Sequence, residues 1–137
     1  MEDNGAPRLL VIDDTRVHRM VICRIAEKAG LKPVEAYGCA AVIDVLSVGP
    51  YCGATLDLSL GDRAGTEVIR ELVRYDFRAP IIIISGSDPR TADEAQEMGV
   101  ALGLDMREPV PKPVDLAMLR RRFIELRTAA ADPDQRP

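Results

Sequence analysis

The stretch PIIIIS, residues 80–85, sets four consecutive isoleucines between a proline and a serine. β-Branched side chains favour extended backbone, and no polar residue alternates with them, so neither face of this strand can look at water. A strand buried on both faces belongs to a sheet covered by helices on both sides, which is the arrangement of parallel α/β domains.

Working outward, three more short apolar runs lie at residues 9–12, 33–36 and 54–56, with a weaker one near 107–110. Helix-periodic stretches separate them. Val17, Val21 and Ile25 repeat at helical spacing with Met20 beside them, and Gly30 closes that segment. Val68, Ile69, Leu72 and Val73 form a second stripe. Leu116, Leu119, Phe123 and Leu126 form a third, with Asp115 as the N-cap, and residues 39–47 and 90–102 read as further helices. Five strands alternating with five helices predict a three-layer α/β domain, and right-handed crossovers make it doubly wound. The expected organisation is a flexible N-terminus over residues 1–6, one domain over 7–127, and a disordered tail over 128–137.

At 137 residues, with 47% hydrophobic and 29% charged residues, the chain has the balance of one soluble globular domain. A net charge of −4 argues against a protein built to grip nucleic acid or an anionic membrane. No run reaches transmembrane length, and MEDNGAPR lacks the features of a secretory signal. Cys23, Cys39 and Cys52 contain no metal-type CxxC pair, and reduced thiols in a cytoplasmic protein fit best.

In an open parallel sheet, ligands bind beyond the carboxyl ends of the strands. Asp13 and Asp14 stand at the end of the first strand, Asp57 at the third, Ser85 at the fourth, and Lys112 just past the fifth. Clustered carboxylates attract a hard divalent cation, and Mg2+ prefers oxygen ligands while leaving positions for phosphate. A carboxylate beside such a cation can attack a phosphoryl group. Lys112 offers a mobile positive charge, and the Ser85 hydroxyl can hydrogen-bond a phosphoryl oxygen.

The pieces VIDDTR, TLDLSLGDRAG, IIIISGS and VPKPVD resemble the receiver domain of two-component response regulators, over roughly residues 7–127. The resemblance implies a flavodoxin-like, five-stranded parallel sheet of order 2-1-3-4-5 with five helices. It implies that Asp57 is the phosphoacceptor and that Asp14 binds Mg2+ directly. Asp13 would act largely through water or hydrogen bonds, and the Ser59 backbone carbonyl would be a further ligand. Ser85 matches the switch hydroxyl, Gly86 the small residue that lets phosphate approach, and Lys112 the family lysine, with a cis bond to Pro113. The chain is then expected to be a single-domain, non-enzymatic response regulator. Its donor would be a sensor histidine kinase or histidine phosphotransfer protein. Output would go to a protein target through helix 4, strand 5 and helix 5, as a monomer or weak homodimer.

The chain departs from the family pattern at Gly61, where proline is usual, at Ala64, and at Pro109, where an aromatic residue usually reports phosphorylation. The segment from Gly99 to Lys112 is long, and is read as an extended fourth helix closing near Gly103 before a short strand. Its pattern looks like receivers attached to cyclic-di-GMP phosphodiesterases. Two other functions compete: a phosphorylation-independent binding module that keeps the fold, and an aspartate-based phosphatase of the haloacid dehalogenase type. The latter needs Asp-x-Asp, and this chain has Asp13-Asp14-Thr15. His18 is read as a surface residue, and Arg120, Arg121, Arg122 and Arg127 as a solvated face or a partner surface.

Overall fold

The computed structural model describes residues 5–58, 62–86 and 89–131. Strands and helices alternate along the chain. They are β1 (Arg8–Ile12), α1 (Arg16–Lys28), β2 (Lys32–Ala36), α2 (Cys39–Leu46), β3 (Tyr51–Asp57) and α3 (Asp62–Arg74). Then follow β4 (Ile81–Ser85), α4 (Pro89–Ala101), β5 (Val110–Pro111) and α5 (Leu116–Ala131). The sheet is five-stranded and parallel in the order β2-β1-β3-β4-β5.

The isoleucine run divides as its pattern requires. Ile81 and Ile83 face a core with Leu10, Ile12, Leu56, Val68, Ile69 and Leu72, under α2, α3 and α4. Ile82 and Ile84 face the opposite core with Leu9, Val11, Ile22, Ile25, Leu119 and Phe123, under α1 and α5. All four are at most 1% exposed. Consecutive strand residues point to opposite faces, so one polar substitution in this run would strip a contact from one core only. Gly53 lets α5 close on β3, because a β-carbon there would stand 2.8 Å from Leu126 Cδ1.

Three helices end on the same local device. Gly30, Gly103 and Asp76 all take positive φ, at 88°, 93° and 60°. The following residue then donates back to a carbonyl five positions earlier: Leu31 to Ala26, Leu104 to Gly99, and Phe77 to Leu72, each at 2.9 Å. The fourth helix thus closes at Gly103, as its sequence suggests. Beyond it, Met106 packs where a β-carbon on Gly99 would sit and forms a bridge with Ile81. Asp105 O accepts from Ile81 N and Arg107 N donates to Ile81 O, so the long segment lines the start of β4.

Both margins of the sheet carry a proline. Lys32 N donates inward to Pro7 O at 2.8 Å, and Lys112 N donates inward to Ser85 O at 3.0 Å. Donors along a strand alternate between sides, so the nitrogens of Pro33 in β2 and Pro111 in β5 face outward.

Some sequence expectations shift. The fifth strand sits later than 107–110, because only Val110 and Pro111 reach Ile84 and Ser85. Residues 128–131, expected in a disordered tail, are helical: α5 runs on to Ala131, with Thr128 Oγ1 donating to Ile124 O at 2.9 Å, and the rest of that expected tail lies outside the described residues. In α1 the stripe is out of phase. Val17, Met20 and Val21 are 71%, 50% and 40% exposed, while Ile22, Ile25, Ala26 and Ala29 are buried. The helix turns its later apolar set, Ile25 of the predicted stripe included, onto the sheet, since β1 ends at Ile12 and the polar Asp13 follows beneath the first turn. Lys112–Pro113 is a cis peptide, as is Gly49–Pro50, which the sequence reading did not anticipate. No described helix is long and apolar enough to cross a membrane.

Candidate functional site

The carboxyl edge of the sheet gathers the site. β1 runs into Asp13, which is fully buried, and β3 ends on Asp57, only 1% exposed. Asp13 is fixed from three sides. Its N–H donates to Ala36 O at 3.0 Å, its Oδ1 accepts from Thr15 N at 2.9 Å, and its carbonyl accepts from Arg19 Nη1 at 2.8 Å. Arg19 in turn reaches Glu35 Oε1 at 2.8 Å, so α1 is tied to β2 beside the site.

Lys112 comes in from beyond β5, and its Nζ donates to Asp57 Oδ2 at 2.8 Å. The aliphatic stem of Lys112 lies against Gly86: a β-carbon there would stand 2.8 Å from both Cβ and Cδ of the lysine. The missing side chain at Gly86 therefore makes room for the lysine. Ser85 closes β4 and is nine-tenths buried, and its Oγ has no hydrogen-bond partner among the described residues. A buried, unpaired hydroxyl is costly to keep unless something arrives to use it.

The residue that sequence reasoning misplaced is His18. Its side chain is 24% exposed, and its Nδ1 faces Asp13 Oδ2 in a short contact and Asp57 Oδ2 at 3.1 Å. The signal was present in α1: stepping back four residues from Ile22 on the buried stripe of Ile22, Ile25, Ala26 and Ala29 lands on His18. Carboxylates only accept, so a proton must lie between ring and carboxylate, on Nδ1 or on Asp13.

Burial pushes the Asp13 carboxyl above its ordinary value. The Thr15 N–H counters that, and the neighbouring Asp57 adds to it. Among the described residues, two buried carboxylates share the Lys112 ammonium and the His18 ring. Asp13, His18 and Asp57 bring ligand atoms within 4.8 Å of one another, a donor set that fits a divalent cation. Asp14 is exposed, takes a 3.3 Å hydrogen bond from Thr15 Oγ1, and stands outside that cluster. Ser59 and Gly61 lie outside the described residues, and Pro109 is half-buried just before β5. Of the α5 arginines, Arg122 reaches Glu108 O at 3.0 Å, while Arg120, Arg121 and Arg127 are exposed.

The chain was compared with known proteins. Residues 9–124 match the family described as response regulator receiver domain. The sensory/regulatory protein RpfC of Xanthomonas campestris pv. campestris is 30% identical over 126 residues, covering 87% of this chain and 16% of RpfC. The regulatory protein VirG of Agrobacterium fabrum is 29% identical over 113 residues, 82% of this chain and 38% of VirG. This chain thus spans well under half the length of either relative. Among solved structures, a response regulator from Colwellia psychrerythraea superposes with TM-score 0.77 at 24% identity, covering 90% of this chain and 98% of the other. A response regulator signal receiver domain from Bermanella marisrubri gives TM-score 0.72 at 27% identity, over 89% and 98%. With the sheet order, the acidic edge and a match over most of the length in agreement, this chain belongs to the response regulator receiver domain family.

Proposed function

We propose that Asp57 accepts a phosphoryl group from a phosphohistidine of a sensor kinase or histidine phosphotransfer protein. The observation that carries this reading is the Asp57 carboxylate itself: buried at the open edge of the sheet, with Oδ2 held by the Lys112 ammonium. An Asp57 oxygen attacks phosphorus, the P–N bond to the donor imidazole breaks, and the imidazole leaves with that electron pair and takes a proton from water. The Lys112 ammonium passes from Asp57 Oδ2 to a phosphoryl oxygen, and the unpartnered Ser85 hydroxyl donates to another. Asp13 and Asp57, with Asp14 and the Ser59 carbonyl as the family resemblance implies, would hold Mg2+. Bound there, the cation supplies charge against the incoming phosphoryl oxygens.

Receiver domains are in general signalling modules rather than enzymes, and output here is assigned to protein contact through α4, β5 and α5. Pro109 has no aromatic ring to rotate, so phosphorylation is transmitted through Lys112 and the β4–β5 pairing instead. Val17, Met20 and Val21, exposed on α1 beside the pocket, suit an apolar docking face for the phosphodonor.

The test is intact mass after incubation with Mg2+ and a small acyl phosphate or a promiscuous histidine kinase. One added phosphoryl group, lost in Asp57→Asn and with chelator, is the expected result. No addition from either donor, with cation binding shown separately, would move the reading to a phosphorylation-independent binding module.

A further inference from the structure

Resting on the reading of this pocket as a cation-assisted phosphoryl site, we propose that His18 is a metal ligand. The pocket then adds one imidazole nitrogen to the oxygen ligands proposed above, and prefers a nitrogen-accepting divalent metal such as Mn2+ or Co2+ over Mg2+.

The geometry supports direct ligation. Bonds of about 2.1 Å at right angles put neighbouring ligand atoms about 3.0 Å apart. His18 Nδ1 lies 3.1 Å from Asp57 Oδ2, and all three donor atoms fall within 4.8 Å; the direct Nδ1–Asp13 Oδ2 contact is the one that must open to admit a cation. The ring is not a surface group that wandered in. It sits in the first turn of α1, on the face that Ile22, Ile25, Ala26 and Ala29 clamp to the sheet, so the helix aims it at the carboxylates. A second, independent feature marks the pocket as built for a ligand: Ser85 Oγ, buried and unpartnered among the described residues, closes the strand next to that of Asp57.

The chemistry then sets the preference. Mg2+ is a hard cation that favours oxygen and dehydrates reluctantly, and it gains little from an imidazole. Later first-row divalent metals bind mixed nitrogen and oxygen sets more strongly, in a series rising from Mn2+ through Co2+. An imidazole already turned toward both carboxylates gives such metals an additional ligand once the Nδ1–Asp13 contact opens. His18, Asp13 and Asp57 would hold the cation in place of the contacts they now make with one another.

The test compares wild type with His18→Leu and His18→Gln in two measurements. Competition titration gives the Mn2+-to-Mg2+ affinity ratio, and pulsed electron spin-echo spectroscopy of bound Mn2+ detects coupling to a directly bound 14N nucleus. The expected result is 14N modulation in wild type, lost in both variants, with the Mn2+ preference falling at least about tenfold while Mg2+ affinity holds. No 14N modulation in wild type, or a preference unchanged in the variants, overturns the proposal. Should the variants fail to fold, the wild-type spectrum decides alone. Failure of the functional reading looks different: it is absence of a phosphoryl group on Asp57 with either metal, whatever the spectrum shows.

Discussion

Replacing Asp13 by Asn should make the metal-free protein more stable. Asp13 and Asp57 are both buried, with carboxylate oxygens within 4.8 Å of each other. At an effective dielectric of 20, two unit charges at that separation repel by about 3.5 kcal/mol. Lys112, bound to Asp57 at 2.8 Å, and His18, in contact with both carboxylates, offset part of this, and an asparagine oxygen can still accept from Thr15 N and from the ring. The net gain should be roughly 1–3 kcal/mol in chelator, which moves a urea midpoint up by about 1 M. The pH dependence has a definite sign. Because the folded Asp13 carboxyl is raised, the unfolded chain ionises first as pH climbs. Wild-type stability is therefore lost from the ordinary carboxylate range upward through the folded value, and the variant lacks that loss. The advantage of Asp13→Asn should be larger at pH 7.5 than at pH 4, where it shrinks away. A saturating divalent cation should stabilise wild type by about 2.7 kcal/mol at one hundred times its dissociation constant, and the variant much less. Urea denaturation at both pH values, with chelator and with Mg2+, makes the comparison. A variant less stable than wild type in chelator at pH 7.5 would refute the reasoning, because the two carboxylates would then be held without net repulsion.

Gly86→Ala should push the lysine stem aside, slowing acyl-phosphate labelling of Asp57 by about 10- to 100-fold; an unchanged rate would show that the 2.8 Å approach to Lys112 does not position the ammonium. Thr55→Val removes a fully buried hydroxyl with no partner among the described residues and should raise the unfolding free energy by about 1 kcal/mol, measured by urea denaturation. Burial holds the Cys23 thiol up at about 12 and Cys52 at about 11, so at pH 8 alkylation of Cys52 should run about 100-fold slower than in the unfolded chain, with Cys23 slower still. Mass spectrometry of iodoacetamide-treated protein with time follows both.

The sheet could be read from sequence because its signals are local. Four isoleucines without alternation specify a central strand, and Asp115, whose Oδ1 accepts from Met118 N at 3.1 Å, announces the start of α5. Asp13, Asp57, Ser85 and Lys112 were recognisable as candidates because each follows an apolar run, and a parallel sheet sends all such ends to one edge. His18 escaped because its position depends on the rotational phase of α1. Val17 and Val21 are as apolar as Ile22 and Ile25, and only packing against β1 and α5 decides which set faces inward. Gly86 was legible as the small residue at the phosphate approach, but not as the seat of the Lys112 stem, since Lys112 is brought over it by the Ser85–Lys112 hydrogen bond. The fifth strand was misjudged because its prolines at 109, 111 and 113 hide a pairing only two residues long.

The outward-facing prolines at the two margins have a consequence for assembly. A sheet polymerises by offering unused N–H groups to another chain, and open edges are where aggregation begins. Here Pro33 and Pro111 remove a donor on each free side, and the inward bonds of Lys32 and Lys112 leave the ladder itself intact. Lys32 adds an exposed charge at one margin. Copies of this domain are thus discouraged from joining strand to strand, and any self-association is steered toward the helical faces, where it can be made and broken without disturbing the sheet that holds Asp57.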